Sequence, residues 1–147
     1  MTTTLDFIDK SQIRIIPANA SKHDALEILI EAVSRNPVIT DCEAFRKAVY
    51  EREAVQSTGI GGGVAVPHVR IPEVTEPTIA LGIAPDGIDF ASLDNRPVHI
   101  IILFATPKDA EKTYLSLLAK VMLTLRNPDA FKALAACRTQ EEVIALL

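Results

Sequence analysis

The run Val98-His-Ile-Ile-Ile-Leu-Phe-Ala105 constrains this chain more than any other stretch. Both of its alternating faces are apolar. As a strand it must therefore be covered on both sides, which places it at the centre of a sheet with helices above and below. Pro107 ends it. The pattern around it predicts an α/β domain, with a sheet of four or five strands and helices on both faces.

The flanking segments fit that plan. Ile13, Ile15 and Ile16 form a β-branched run that Pro17 stops, predicting a first strand near an edge. Ser21 with Asp24 is a capping signal, and Leu26, Leu29, Ile30 and Val33 carry a helix to Arg35 before Asn36-Pro37. Thr40 with Glu43 predicts a second capping box, opening a helix to about Ala54. Ala44, Phe45, Ala48 and Val49 form its buried side, and Arg46, Lys47, Glu51, Arg52 and Glu53 its charged side and end. Thr78 to Ile83 reads as a strand, Pro85-Asp86-Gly87 as a turn, and Ile88 to Phe90 as a short edge strand. Asp109 starts the longest helical pattern, with Leu115, Leu118, Ala119, Met122 and Leu125 at helical spacing. Asn127-Pro128 is an N-cap and N1 pair. Thr139 with Glu142 opens a last helix that reaches the C-terminus.

Charge and composition narrow the function. The 147 residues suit one domain, and the net charge of −4 argues against a nucleic-acid binder. No apolar run reaches the ~20 residues of a membrane span. Met1 to Asp6 is neither basic nor apolar enough for a signal peptide. Cys42 and Cys137 make no disulfide framework or zinc spacing. The expectation is a cytoplasmic protein with free thiols.

One stretch concentrates the chemistry: Ser57-Thr-Gly-Ile-Gly-Gly-Gly-Val-Ala-Val-Pro-His68. Four of the six glycines fall between Gly59 and Gly63. The reading is a tight loop, a brief strand over Val64 to Val66, and an imidazole presented after a rigid proline. Successive loop N–H groups can form an anion-binding concavity, and an anion site beside an imidazole suits phosphoryl chemistry on histidine. The spacing is not GxGxxG, and no Lys-Ser/Thr pair makes a Walker loop. Arg52, just upstream, either complements its helix dipole or reaches a phosphate bound at the loop. His99 either faces the site of His68 or hydrogen-bonds at the sheet edge. His23 reads as a solvated surface residue. No HxxxH or HxH spacing supports a metal hydrolase.

On these residues the chain resembles the enzyme IIA components of the bacterial phosphotransferase system, mannitol/fructose type. The likeness rests on Glu51-Arg52-Glu53 with Ser57 to His68, on Asp94-Asn-Arg-Pro-Val-His99 leading to Pro107, and on Leu115 through Asn127-Pro128 to Leu147. It implies a single IIA domain over residues 1–147 with the mixed sheet of that fold. It implies that His68 accepts a phosphoryl group from the phosphohistidine of HPr and passes it to a IIB component in sugar uptake. Arg52 would hold phosphate oxygens, and Ser57, Thr58, Gly59 and Gly61 would bind phosphate. Such transfer needs in-line positioning and charge stabilisation, so the reading calls for no cofactor and no metal. It calls for no nucleic acid and no membrane insertion, with contact to a membrane IIC complex only through IIB.

The chain departs from the family pattern at Tyr114, where many members carry a second histidine in a Thr-His-Leu context. Tyr114 keeps a donor at a strand end where α/β sheets build sites, making it a candidate hydrogen-bond donor to phosphate or to His68. Gly62 and Val69 stand where asparagine and a small residue are common. The same motif occurs in the nitrogen-regulatory branch, where the phosphorylation state controls other proteins. An aspartate often stands there at the position of His99, which leans toward the sugar branch.

Overall fold

The computed structural model describes residues 10–146. The stretch Met1 to Asp6 and Leu147 lie outside them.

A 3-10 turn, Lys10–Gln12, leads into β1 (Ile13–Ile15), α1 (Lys22–Ser34) and α2 (Cys42–Val55). Three short strands follow: β2 (Gly59–Gly61), β3 (Val64–Ala65) and β4 (His68–Arg70). The two long strands are β5 (Thr78–Ile88) and β6 (Val98–Thr106). Helices α3 (Glu111–Leu125), α4 (Pro128–Ala135) and α5 (Gln140–Leu146) close the chain.

Among the described residues the sheet has six strands in the order β1-β5-β6-β3-β2, with β4 also paired to β6. That is one more than expected, because the glycine stretch supplies three short strands. β1 is at an edge, parallel to β5, and β5 runs antiparallel to β6. β3 and β4 both lie parallel to β6, one after the other along it: Val64 and Ala65 pair with Ile100 and Ile101, and His68 to Arg70 with Phe104 to Thr106. Pro67 stands in the break between them, where its missing N–H costs nothing, and its carbonyl accepts from the Phe104 N–H at 2.9 Å.

β6 is central and alternates as its sequence requires. Ile101, Leu103 and Ala105 meet Leu26, Leu29, Ile30, Phe45 and Val49 of α1 and α2. Ile100, Ile102 and Phe104 meet Tyr114, Leu117, Val121, Leu134 and Val143 of α3 to α5. Burying one such aliphatic side chain is worth about 1.5–3 kcal/mol, so these two layers dominate the fold's stability.

Several sequence expectations are corrected. Pro85-Asp86-Gly87 is not a turn between strands: β5 runs through it to Ile88, which pairs with Val98, and the extra residues form a bulge with Gly87 at φ +78°. Phe90, expected on an edge strand, is fully buried. α2 is capped by Asp41, whose carboxylate accepts from the Ala44 N–H at 3.0 Å, and the Thr40 hydroxyl instead donates to the Glu73 carbonyl at 2.8 Å. The Ser21–Asp24 box forms in both directions, and Asn127 caps α4. α3 begins at Glu111 rather than Asp109, and its buried face is Tyr114, Leu117, Val121 and Leu125. Leu115 is left exposed. The apolar stripe of α3 is broad, and packing of Tyr114 against Phe104 settles which part faces the sheet.

Candidate functional site

Strand alternation builds the site. Val69 points into the core beneath α1 and α2, so His68 and Arg70 share the opposite side of β4. The C-terminal turn of α2 and the first turn of α3 flank that strand. Ala48, Glu51 and Arg52 of α2 line an open depression of about 390 Å³ with His68, Val69, Arg70 and Ile71. Its place beside the C-terminal end of β6 is where open α/β sheets build binding sites.

The His68 ring is half-buried and held at Nδ1. Its Nδ1 lies 3.2 Å from the Val66 carbonyl. A carbonyl only accepts, so Nδ1 carries the proton and the Nε2 lone pair is left available. Burial lowers the His68 pKa below its ordinary 6.5, and the guanidinium charges of Arg52 and Arg70 lower it further. The Val66 carbonyl and the Glu53 carboxylate oppose this in part. The balance favours a neutral, nucleophilic imidazole at neutral pH.

Tyr114 stacks on that imidazole, with ring centroids 5.0 Å apart and planes 27° from parallel. Its other neighbour is Phe104, met edge-on at 5.3 Å. The ring is buried, and burial raises the phenol pKa against the opposing pull of Arg52 and Arg70. Arg52 donates from Nη1 to the Gln56 carbonyl at 2.9 Å while lining the depression. Helix-end charge and site guanidinium are thus compatible roles for one side chain.

The glycine-loop donors are spent elsewhere. The Thr58 N–H and hydroxyl both go to the Glu53 carboxylate, the N–H at 3.2 and 3.3 Å. The Gly59 N–H goes to Ser57 Oγ at 3.1 Å, and the Ser57 hydroxyl to the Phe90 carbonyl at 3.1 Å. Gly61, Gly62 and Gly63 form a left-handed turn, all with positive φ. The Gly62 N–H there donates to the Asp94 carboxylate at 3.0 Å. The anion in this turn is the protein's own. Ser57, Thr58, Gly59 and Gly61 are not among the residues lining the depression at His68. His99 lies five residues before Phe104, the partner of His68 on β6, so roughly 16 Å along the strand at ~3.3 Å per residue. Its Nδ1 meets the Ala84 carbonyl of neighbouring β5 at 3.0 Å and its ring lies edge-to-face with Phe131, so it bonds at the start of the central strand, away from His68. His23 is exposed as expected, with its Nδ1 3.2 Å from the Tyr50 hydroxyl.

Glu53 corrects another expectation. It is buried rather than on the charged side of α2, and its carboxylate pairs with Lys22 Nζ at 2.7 Å as well as with Thr58. Lys22 sits 4.8 Å over the Phe90 ring. This clasp joins the start of α1, the last turn of α2 and the loop into β2, and so fixes the turn that carries Arg52. Sequence reasoning missed it, and it missed Arg70. The two-residue period from His68 would have found Arg70, whereas nothing local marks Glu53 as buried.

Residues 6–147 match the family described as "Phosphoenolpyruvate-dependent sugar phosphotransferase system, EIIA 2". The chain belongs to that family. Among curated relatives of this IIA domain, the fructose-specific EIIABC component of Bacillus subtilis is 28% identical over 97% of the chain, which spans only 22% of that larger protein. The nitrogen regulatory protein of Escherichia coli K12 is 31% identical over 86% of the chain and 78% of its own length. The crystal structure of the nitrogen regulatory protein IIA-Ntr from Neisseria meningitidis superposes with a TM-score of 0.85 at 26% identity, covering 96% of each chain. The Escherichia coli mannitol IIA in complex with phosphorylated IIB shares the fold, at TM-score 0.80 and 18% identity over 95% of each chain. The IIA fold is thus shared with both branches. Among the described residues no helix is long and apolar enough to cross a membrane.

Proposed function

We propose that this IIA domain is a phosphocarrier whose acceptor is His68, charged by phospho-HPr and discharged to a IIB component in sugar uptake. The observation that carries the reading is the Nδ1–H to Val66 carbonyl bond, which leaves Nε2 as the nucleophile beside two arginines. In the transfer, the Nε2 lone pair forms a bond to phosphorus. The donor's N–P bond breaks, and its electron pair returns to the donor's ring nitrogen. Nδ1 keeps its proton, so the charged ring carries positive charge that the Val66 carbonyl stabilises. Arg52 faces the equatorial oxygens, where transition-state charge develops. The reverse sequence, with IIB's acceptor group attacking phosphorus, releases neutral His68. The fusion named for the fructose-specific relative, with A, B and C components in one chain, supports a IIB acceptor.

A second reading is favoured by the 31% identity to a nitrogen regulatory protein and the 0.85 superposition on IIA-Ntr. In it, His68 is charged in the same way but the charged state governs binding to other proteins. Incubation with phosphoenolpyruvate, enzyme I and HPr, followed by a chase with candidate IIB proteins, separates them. The carrier reading predicts rapid loss of the label to a IIB. Charging with no IIB discharging it favours regulation. No charging at all refutes both.

A further inference from the structure

We infer that Arg70 is a second phosphate-holding cation, parked on Glu111 while His68 is uncharged and handed to the phosphoryl group when His68 is charged. The inference rests on the reading of His68 as acceptor. Arg70 shares the exposed side of β4 with His68, two residues on, so its guanidinium reaches the same depression. In the uncharged protein its Nη1 lies 3.6 Å from Glu111 Oε2, a loose pair in which both side chains remain partly in water. Arg52 is differently held: its partner is the neutral carbonyl of Gln56, the residue just past the end of its helix. A phosphoryl group on Nε2 brings about two negative charges and three acceptor oxygens to the depression, and a guanidinium binds such a group through two parallel N–H bonds. One distant, exposed carboxylate oxygen competes poorly with that.

The exchange has a consequence beyond rate. Glu111 occupies the first turn of α3, one turn before Tyr114, which stacks on His68. In the uncharged form its charge is offset by Arg70. In the charged form it is bare, beside the phosphoryl group and the exposed Leu115. The two phosphorylation states therefore present a partner with different charge at the start of α3.

The test uses the full chain and charges His68 with phosphoramidate, so it does not depend on a protein donor. Initial rates are followed by ³¹P NMR, and the Arg70 Nε–H cross-peak is compared before and after charging. Arg70→Gln is expected to charge about tenfold more slowly, and Arg70→Lys to recover part of the loss. Glu111→Gln is expected to charge a few-fold faster than wild type, an effect that disappears on the Arg70→Gln background because the two act through one exchange. The Arg70 cross-peak moves on charging. An Arg70→Gln rate equal to wild type, a stationary cross-peak, or a Glu111→Gln effect that persists without Arg70 overturns the inference. Charging by phosphoramidate but not by phospho-HPr counts against the proposed function alone.

Discussion

Tyr114→Phe is the most informative substitution, because the structure divides the residue's two contributions. The ring is stacked on His68 at 5.0 Å and edge-on to Phe104 at 5.3 Å, and Phe keeps both contacts. Each such aromatic pair is worth about 0.5–1.5 kcal/mol beyond burial, so the hold on the imidazole survives. Only the hydroxyl goes. His68 cannot be its partner in this arrangement: Nδ1 is already on the Val66 carbonyl, and the two rings meet face to face. A phosphoryl group on Nε2 is the remaining candidate. The phenol stays protonated through neutral pH, since burial raises its pKa, and so it can donate throughout the cycle. A hydrogen bond to a charged group contributes about 1.5–3 kcal/mol, which is ten- to a hundred-fold in rate if it forms in the transition state. The assay is single-turnover charging from phospho-HPr, alongside urea unfolding. The expected result is unchanged stability with charging slowed by at least about tenfold, and activity retained in Tyr114→His. Charging at the wild-type rate in Tyr114→Phe would show that the residue is packing alone, and that the missing histidine has no substitute.

Three further outcomes are expected. Arg52→Ala slows charging by ~10² or more with little change in stability, and lysine restores only part, since it lacks the paired N–H geometry; wild-type rates would leave Arg52 as a helix-end charge. Glu53→Ala destabilises the fold by about 2–4 kcal/mol in denaturant unfolding, because Lys22 and both Thr58 donors lose a buried partner, and it also weakens charging by loosening the turn that carries Arg52; an unchanged midpoint would refute the clasp. The His68 ring titrates below 6.5 by NMR, because the folded protein lowers its pKa and the unfolded chain does not. The unfolded state then binds more protons between the two values, so this contribution to stability is present above 6.5 and lost as pH falls through the folded value. A His68 titration above 6.5 would reverse the sign.

The fold was largely legible because its central fact is local. A run of eight residues, seven of them apolar and lying on both faces, requires a covered strand, and capping at Ser21, Asn127 and Thr139 marks where helices start. The errors arose where tertiary contacts decide. Pro85-Asp86-Gly87 has turn chemistry, yet the partner residues on β6 carry β5 past it as a bulge. Thr40 was the expected cap of α2, but its hydroxyl goes to distant Glu73 and the next residue, Asp41, caps instead. The site shows the same division. Pro67-His68 was visible because proline and imidazole adjoin in sequence. The glycine turn read as a cradle for a bound anion, whereas its Gly62 N–H is already taken by the Asp94 carboxylate, which lies more than thirty residues away. Glu53 looked like a surface charge because its partners, Lys22 and the Thr58 loop, come from other segments.

His68 Nε2 is the proposed carrier of the phosphoryl group, and direct observation of that nitrogen tests it. The chain should be charged with phospho-HPr after ¹⁵N-histidine labelling and examined by long-range ¹H–¹⁵N correlation. The expected result is one acid-labile phosphoryl group per chain, a shift confined to Nε2 of His68 with Nδ1 still protonated, and no charging in a folded His68→Ala variant. Phosphorylation that persists in His68→Ala, or that appears on Nδ1, would contradict it.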